Sequence, residues 1–218
     1  MAGGGAGMIL YAVPHSLYCA KTRILLRAKG LEWQECSPAQ DPAGFAAASP
    51  FGNLPALRHR DFGLSDSEAI AEYLDEVFPV PPMLPQTPEA RARARERGRF
   101  HDTRLEPAVR ALFPRVAKPD DAAAGTAMAA VSNRLAQLAA LLAHPLPFGL
   151  GDCGFAPTFL WIDSLAQDCG LLPCWPDAVL RWRGVLEAEP AVAQELAAYR
   201  PHAAAWMAEK RALRAAPG

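Results

Sequence analysis

The chain has 218 residues, 51% of them hydrophobic, and its 22 Lys and Arg against 23 Asp and Glu give a formal net charge of −1. So much apolar material supports a sizeable core and excludes a disordered chain, while the length allows one large domain or two small ones. Balanced charge supplies no overall positive field for nucleic acid or a membrane surface, and no run approaches the roughly 18 uncharged apolar residues of a bilayer-spanning helix.

In chain order, residues 1 to 7 are Gly- and Ala-rich and read as a leader without fixed structure. Met8 to Val13 fits a short apolar strand. A helix is expected after Ser16, because Leu17, Ala20, Ile24, Leu25 and Ala28 share one face. Arg27 and Lys29 suit its last turn and Gly30 its C-cap. Leu31 to Cys36 fits a strand, residues 41 to 49 a short helix, and Pro55 to His59 with Phe62 to Leu64 a hairpin around Arg60-Asp61. The next helix is expected to open on a capping box of Ser65 and Glu68. It carries Ile70, Leu74, Val77 and Phe78 on its apolar side and stops at Pro79.

The order β-α-β-α-β-β-α predicts an α/β unit of thioredoxin size over residues 8–79, with a mixed four-stranded sheet and flanking helices. The proline-rich stretch 80–88 reads as a stiff linker. Beyond it strand patterns largely vanish, and helices are expected over 89–113, 122–143, 152–169, 177–188 and 191–199, making 89–212 an all-helical domain. The basic run from Arg91 to Arg97 reads as a solvated helix face. Five cysteines, Cys19, Cys36, Cys153, Cys169 and Cys174, show no paired C-x-x-C spacing. With an odd count and no signal-peptide pattern, they fit a reducing cytoplasm rather than a disulfide scaffold, and no metal site is expected.

Chemistry concentrates in the first 70 residues. Ser16 stands between a strand end and a helix start, where unpaired amides carry roughly half a positive charge. It is either a plain N-cap or a hydroxyl that hydrogen-bonds a sulfur and favours its thiolate. An ordinary thiol has a pKa near 8.5, so lowering it by about two units, worth about 2.7 kcal/mol, makes thiolate the majority form at neutral pH. Cys19, three residues on, is either a small buried apolar side chain or a low-pKa thiol at a helix N-terminus. The Leu54-Pro55 bond is either trans, the common isomer, or cis; if it is cis, the Leu54 backbone groups are left free to pair with an extended peptide. Asp66 and Ser67, in a first helical turn, are either capping residues or partners for the ammonium and carboxylate of an amino-acid end.

Taken together, Pro14-His15-Ser16-Leu17-Tyr18-Cys19, Ser49-Pro50-Phe51-Gly52-Asn53-Leu54-Pro55-Ala56-Leu57 and Leu64-Ser65-Asp66-Ser67-Glu68-Ala69-Ile70 resemble the active-site turn, the cis-proline stretch and the L-x-E-S-x-A-I segment of the cytosolic glutathione S-transferase superfamily. The likeness is greatest to a bacterial serine-type subgroup. This resemblance implies a thioredoxin-like domain that binds glutathione, a helical domain lining a site for a small hydrophobic electrophile, and a homodimer. It implies that Ser16 hydrogen-bonds the glutathione sulfur, that Leu54 beside Pro55 pairs through its backbone, that Asp66 and Ser67 take the γ-glutamyl end, and that Asn53 lies near the glycyl end. The same glutathione thiolate would serve a peroxidase or disulfide-reductase activity, and a separate reading makes Cys19, a secondary thiol, the working nucleophile. A non-catalytic interaction module on the same fold is the alternative. Departures from the family pattern are Asp66 in place of glutamate, Asn53 in place of Lys or Gln, and Gly149 where a second-domain capping box has Ser or Thr. Residues Phe100, Arg104, Leu105, Phe155 and Phe159 are candidates to line the electrophile site, while His101 and Asp102 are either a solvated or interface pair, the preferred reading, or groups that reach the site from this subunit or its partner.

Overall fold

The computed structural model describes residues 7–117 and 122–215; except for Gly7, the leader lies outside the described residues. The N-terminal part is a four-stranded sheet of β1 (Met8–Tyr11), β2 (Gln34–Cys36), β3 (Ala56–His59) and β4 (Phe62–Ser65). Its order is β2-β1-β3-β4. Strands β1 and β2 run parallel, with Leu10 opposite Glu35, which requires a crossover element. That element is α1 (Leu17–Ala28). Its end follows the Schellman pattern: Gly30 takes φ +62°, and the Gly30 and Leu31 amides donate to Arg27 and Leu26. Strand β3 is antiparallel to both β1 and β4, and Arg60, at φ +58°, turns the hairpin. The helices α2 (Pro42–Ala48) and α3 (Ser67–Val77) complete this part. Leu10, Ile24, Leu25, Leu57, Ile70 and Leu74 fill the space between sheet and helices.

The capping box expected at Ser65 is not formed. Ser65 ends β4 and Asp66 caps α3, its Oδ1 accepting from the Glu68 and Ala69 amides at 2.9 and 3.1 Å. Glu68 turns instead to the buried Lys21 amine, 2.6 Å away. A buried ammonium takes precedence over an exposed cap amide because its charge has no water to fall back on.

The remainder is helical. The helix expected over 89–113 is divided: α4 (Pro88–Phe100) leads into a π-helical turn (His101–Leu105), then α5 (Glu106–Arg110) and a 3₁₀ turn (Phe113–Arg115). Pro107 lacks an amide, and the widened turn falls just before it, with the Glu106 amide donating to His101. Then follow α6 (Ala122–Leu141), a 3₁₀ turn (Leu150–Asp152), α7 (Phe155–Cys169), α8 (Asp177–Ala188) and α9 (Pro190–Ala215). The last runs well beyond the expected end at 199 and contains Pro201. Val192, Leu196, Tyr199, Ala203 and Met207 form one buried stripe on both sides of that proline, so tertiary burial outweighs the one hydrogen bond it removes.

The two parts meet closely. Arg23 and Arg27 of α1 pair with Glu195 of α9 at 3.3 and 3.0 Å. A Cβ on Gly151 would stand 2.2 Å from the Ala94 carbonyl oxygen, so the α4 backbone packs directly on the turn before α7. Within the basic run, Arg95 pairs with Glu72 and Arg97 is buried against Asp152 at 2.7 Å. Only part of that run is therefore the solvated face expected. Gly149 and Asp152 retain half a capping box, the Gly149 amide donating to Asp152 Oδ2 at 3.0 Å.

Candidate functional site

Strand β1 ends where the chain turns through Val13–Ser16 into α1. Ser16 has φ −72° and ψ 125°, the extended backbone of an N-cap, and its Oγ accepts from the Cys19 amide at 3.3 Å. Its own amide donates to Val13 O at 3.2 Å. A hydroxyl oxygen that accepts from an amide keeps its proton to donate. Ser16 is half-buried, whereas Cys19 is fully buried. Burial raises the Cys19 pKa, against the opposing hydrogen bonds from Ser16 and the Val13 backbone. The turn thus keeps its thiol protonated inside, beside a half-buried hydroxyl.

The Leu54-Pro55 bond is cis. Ahead of it, Ser49 Oγ lies 2.9 Å from both the backbone and the side-chain oxygen of Asn53, which ties down the approach to the bond. Asp66 takes φ +83° and ψ 121°, a strained conformation for a non-glycine residue that costs on the order of 1–3 kcal/mol. Its two capping bonds hold it there.

A cavity of about 290 Å³ brings Asn53, Leu54, Asp66 and Ser67 together with Tyr18 of α1 and with Arg99, Asp102 and Thr103 from the helical part. Pro55 is buried, immediately before β3. Ser16 is not among the lining residues; the cavity touches α1 two residues on, at Tyr18.

Buried charges support this cavity. Lys21 lies 2.6 Å from Glu68 and 2.9 Å from Asp102, and Asp102 Oδ1 is 2.7 Å from His101 Nδ1. His101 Nε2 reaches Thr158 Oγ1 of α7 at 2.7 Å. Burial works against charge on both Lys21 and Asp102. Even so, Glu68 and Asp102 hold Lys21 above its ordinary value, and hydrogen bonds and charges of His101 and Lys21 hold the Asp102 carboxyl at about 2.

Residues 10–82 match the family described as the N-terminal domain of glutathione S-transferase. A stringent starvation protein A homolog from Pasteurella multocida (strain Pm70) is 32% identical over 169 residues, 74% of this chain and 77% of that protein. The chain belongs to the cytosolic glutathione S-transferase superfamily. Glutathione S-transferase Z1 of Arabidopsis thaliana is 38% identical over 89 residues, 38% of this chain and 40% of the relative. A rice glutathione S-transferase solved in complex with glutathione superposes with a TM-score of 0.78, covering 95% of this chain and 99% of that one, at 21% identity. The thioredoxin-like sheet followed by helices is thus the superfamily's fold.

Within this glutathione S-transferase framework, the cavity unites Asn53, Leu54, Asp66 and Ser67, all singled out in the sequence, and does not include Ser16. Leu105, Phe155 and Phe159 do not line an open site; all three are fully buried in the helical core. His101 is buried rather than solvated, and its neighbour Asp102 faces the cavity. Arg99 and Thr103 were not singled out in the sequence, because nothing in an Arg-rich helix marks which guanidinium turns toward the other domain. Among the described residues, no cluster of three or more His, Cys, Asp or Glu could hold a metal ion, and no helix is long and apolar enough to cross a membrane.

Proposed function

We propose that this chain is a cytoplasmic, homodimeric glutathione transferase that binds glutathione in the cavity beside α1 and attacks small hydrophobic electrophiles, a detoxifying activity, with Ser16 stabilising the thiolate. Residues 8–79 form the glutathione-binding domain, 80–88 the linker and 89–212 the helical domain that supplies the electrophile site. The observation that carries this reading is the meeting of Asn53, Leu54, Asp66 and Ser67 in one cavity at the domain junction. Asp66 and Asp102 offer two carboxylates to an ammonium group, while Ser67 at the α3 N-terminus and Arg99 offer donors to a carboxylate. An amino-acid end carries both charges. The Leu54 backbone pairs with the cysteinyl unit, Asn53 lies by the glycyl end, and the sulfur is directed to the α1 N-terminus. There a donated hydroxyl proton and the helix end favour the anion. Cys19 takes no part in conjugation, because it is buried.

Titration with glutathione, followed by thiolate absorbance in the ultraviolet, tests this. Wild type is expected to bind and to show the thiolate near neutral pH; Ser16→Ala retains binding and loses most of the thiolate signal and turnover. Equal thiolate in both proteins would refute the role of Ser16. A second reading is a non-catalytic interaction module. It is favoured by Asp66, whose Oδ1 is already committed to two amides of its own helix, and by relatives named stringent starvation protein A homolog. No glutathione binding by wild type would select that reading.

A further inference from the structure

We infer that Tyr199, in the last helix, is a positioning residue that clamps the peptide unit before Ser16 and so sets where the Ser16 hydroxyl stands. The inference rests on the role proposed above for Ser16. The Tyr199 phenol donates to the His15 carbonyl at 2.7 Å and accepts from Trp161 Nε1 at 2.6 Å. Both rings are 1% exposed. The His15 carbonyl belongs to the same peptide plane as the Ser16 amide, which donates to Val13 O. Both polar ends of that plane are therefore engaged, one inside the turn and one by a helix 184 positions away in sequence.

With the plane held at both ends and the Ser16 carbonyl accepting from Ala20, little freedom is left to the Ser16 Cβ. Burial pushes the Tyr199 phenol well above its ordinary value, with Arg23, Cys19 and Glu195 as its charged or titratable neighbours. The hydroxyl thus remains a donor throughout the neutral range. The same helix acts on the turn a second time: Glu195 pairs with Arg23, and Arg23 Nη2 donates to Val13 O at 3.3 Å. The exposed His15 ring contributes less, lying 6.3 Å from Trp206 in a tilted arrangement.

Tyr199→Phe keeps the ring and deletes the donor. Amide hydrogen exchange over residues 14–19 is expected to accelerate by more than about tenfold while the β1 and β3 amides are unchanged. Turnover should fall on the order of ten- to hundredfold, with KM for glutathione within about twofold, because a misplaced donor affects the reacting state more than binding. Trp161→Phe disturbs the same core yet leaves the bond from Tyr199 to His15, and exchange over 14–19 should stay within about threefold of wild type. Unchanged exchange in Tyr199→Phe overturns the inference whatever the activity, and so does faster exchange with wild-type turnover. A wild-type chain without glutathione turnover, with the turn still loosened in Tyr199→Phe, leaves the clamp standing and overturns the role of Ser16 instead.

Discussion

Removing the Asp152 carboxylate should be among the most damaging single changes outside the cavity. Asp152 is 2% exposed and Arg97 3% exposed. The carboxylate meets Arg97 Nε at 2.7 Å and Nη2 at 2.9 Å while accepting from the Gly149 amide at 3.0 Å. Asp152→Ala strands a buried guanidinium, which costs roughly 3–5 kcal/mol. It also orphans a buried amide, for about 1–3 kcal/mol. The two penalties overlap, so about 4–6 kcal/mol is expected, against a total stability of about 5–15 kcal/mol. Arg97→Met should cost less. Burial pushes the Asp152 carboxyl up to about 6, even against the pull of Arg97, so a stranded carboxylate neutralises by taking a proton, which a guanidinium cannot give up. The double variant should cost clearly less than the sum of the two single ones, because neither charge is left alone. Urea unfolding followed by circular dichroism at neutral pH measures all three. Costs that simply add, or a loss below about 1 kcal/mol for Asp152→Ala, would show that this pair does not hold α4 to the turn before α7.

The same carboxyl predicts a pH effect. Its folded pKa of about 6 lies above the unfolded value near 3.9, so the folded state binds that proton more tightly. This group's contribution then falls as pH rises from about 4 to 6, by about 3 kcal/mol in all, and Asp152→Asn should flatten that slope. Gly149→Ser restores the hydroxyl of a capping box but should lower the thermal midpoint by about 3–8 °C. The new Cβ would stand 2.5 Å from the Met83 carbonyl oxygen, and an unchanged midpoint would refute that clash. Alkylation of the native protein should modify the exposed Cys174 rapidly and leave the buried Cys19 and Cys153 unreacted until unfolding. Peptide mass mapping reads the order, and early labelling of Cys19 would contradict its placement.

What the sequence made legible was local. The alternation of strand, helix and hairpin from Met8 to Val77 follows from apolar periodicity and turn residues, and the structure keeps it with no end moved by more than three residues. Ser16 and Ser67 were legible because a hydroxyl at a helix start has a short-range reason to be there. Less legible was anything decided by a partner far along the chain. Glu68 fits a capping box until Lys21, 47 positions away, takes its carboxylate. Arg97 looks like its neighbours Arg93 and Arg95 until Asp152 buries it. Pro201 reads as a stop until the stripe from Val192 to Met207 is seen packed on both sides of it. Gly149 looks like a missing hydroxyl until the Met83 carbonyl occupies the space a side chain needs.

The ion pairs between the first and last helices set an order of events during synthesis. Arg23 emerges from the ribosome 172 residues ahead of Glu195, and at roughly 5–20 residues per second that interval lasts about 10–30 s. Throughout it, Arg23 has Glu35 as its available anion, while Arg27 waits for Glu195. The face of α1 that later meets α9 therefore stays uncovered until Glu195 has been made.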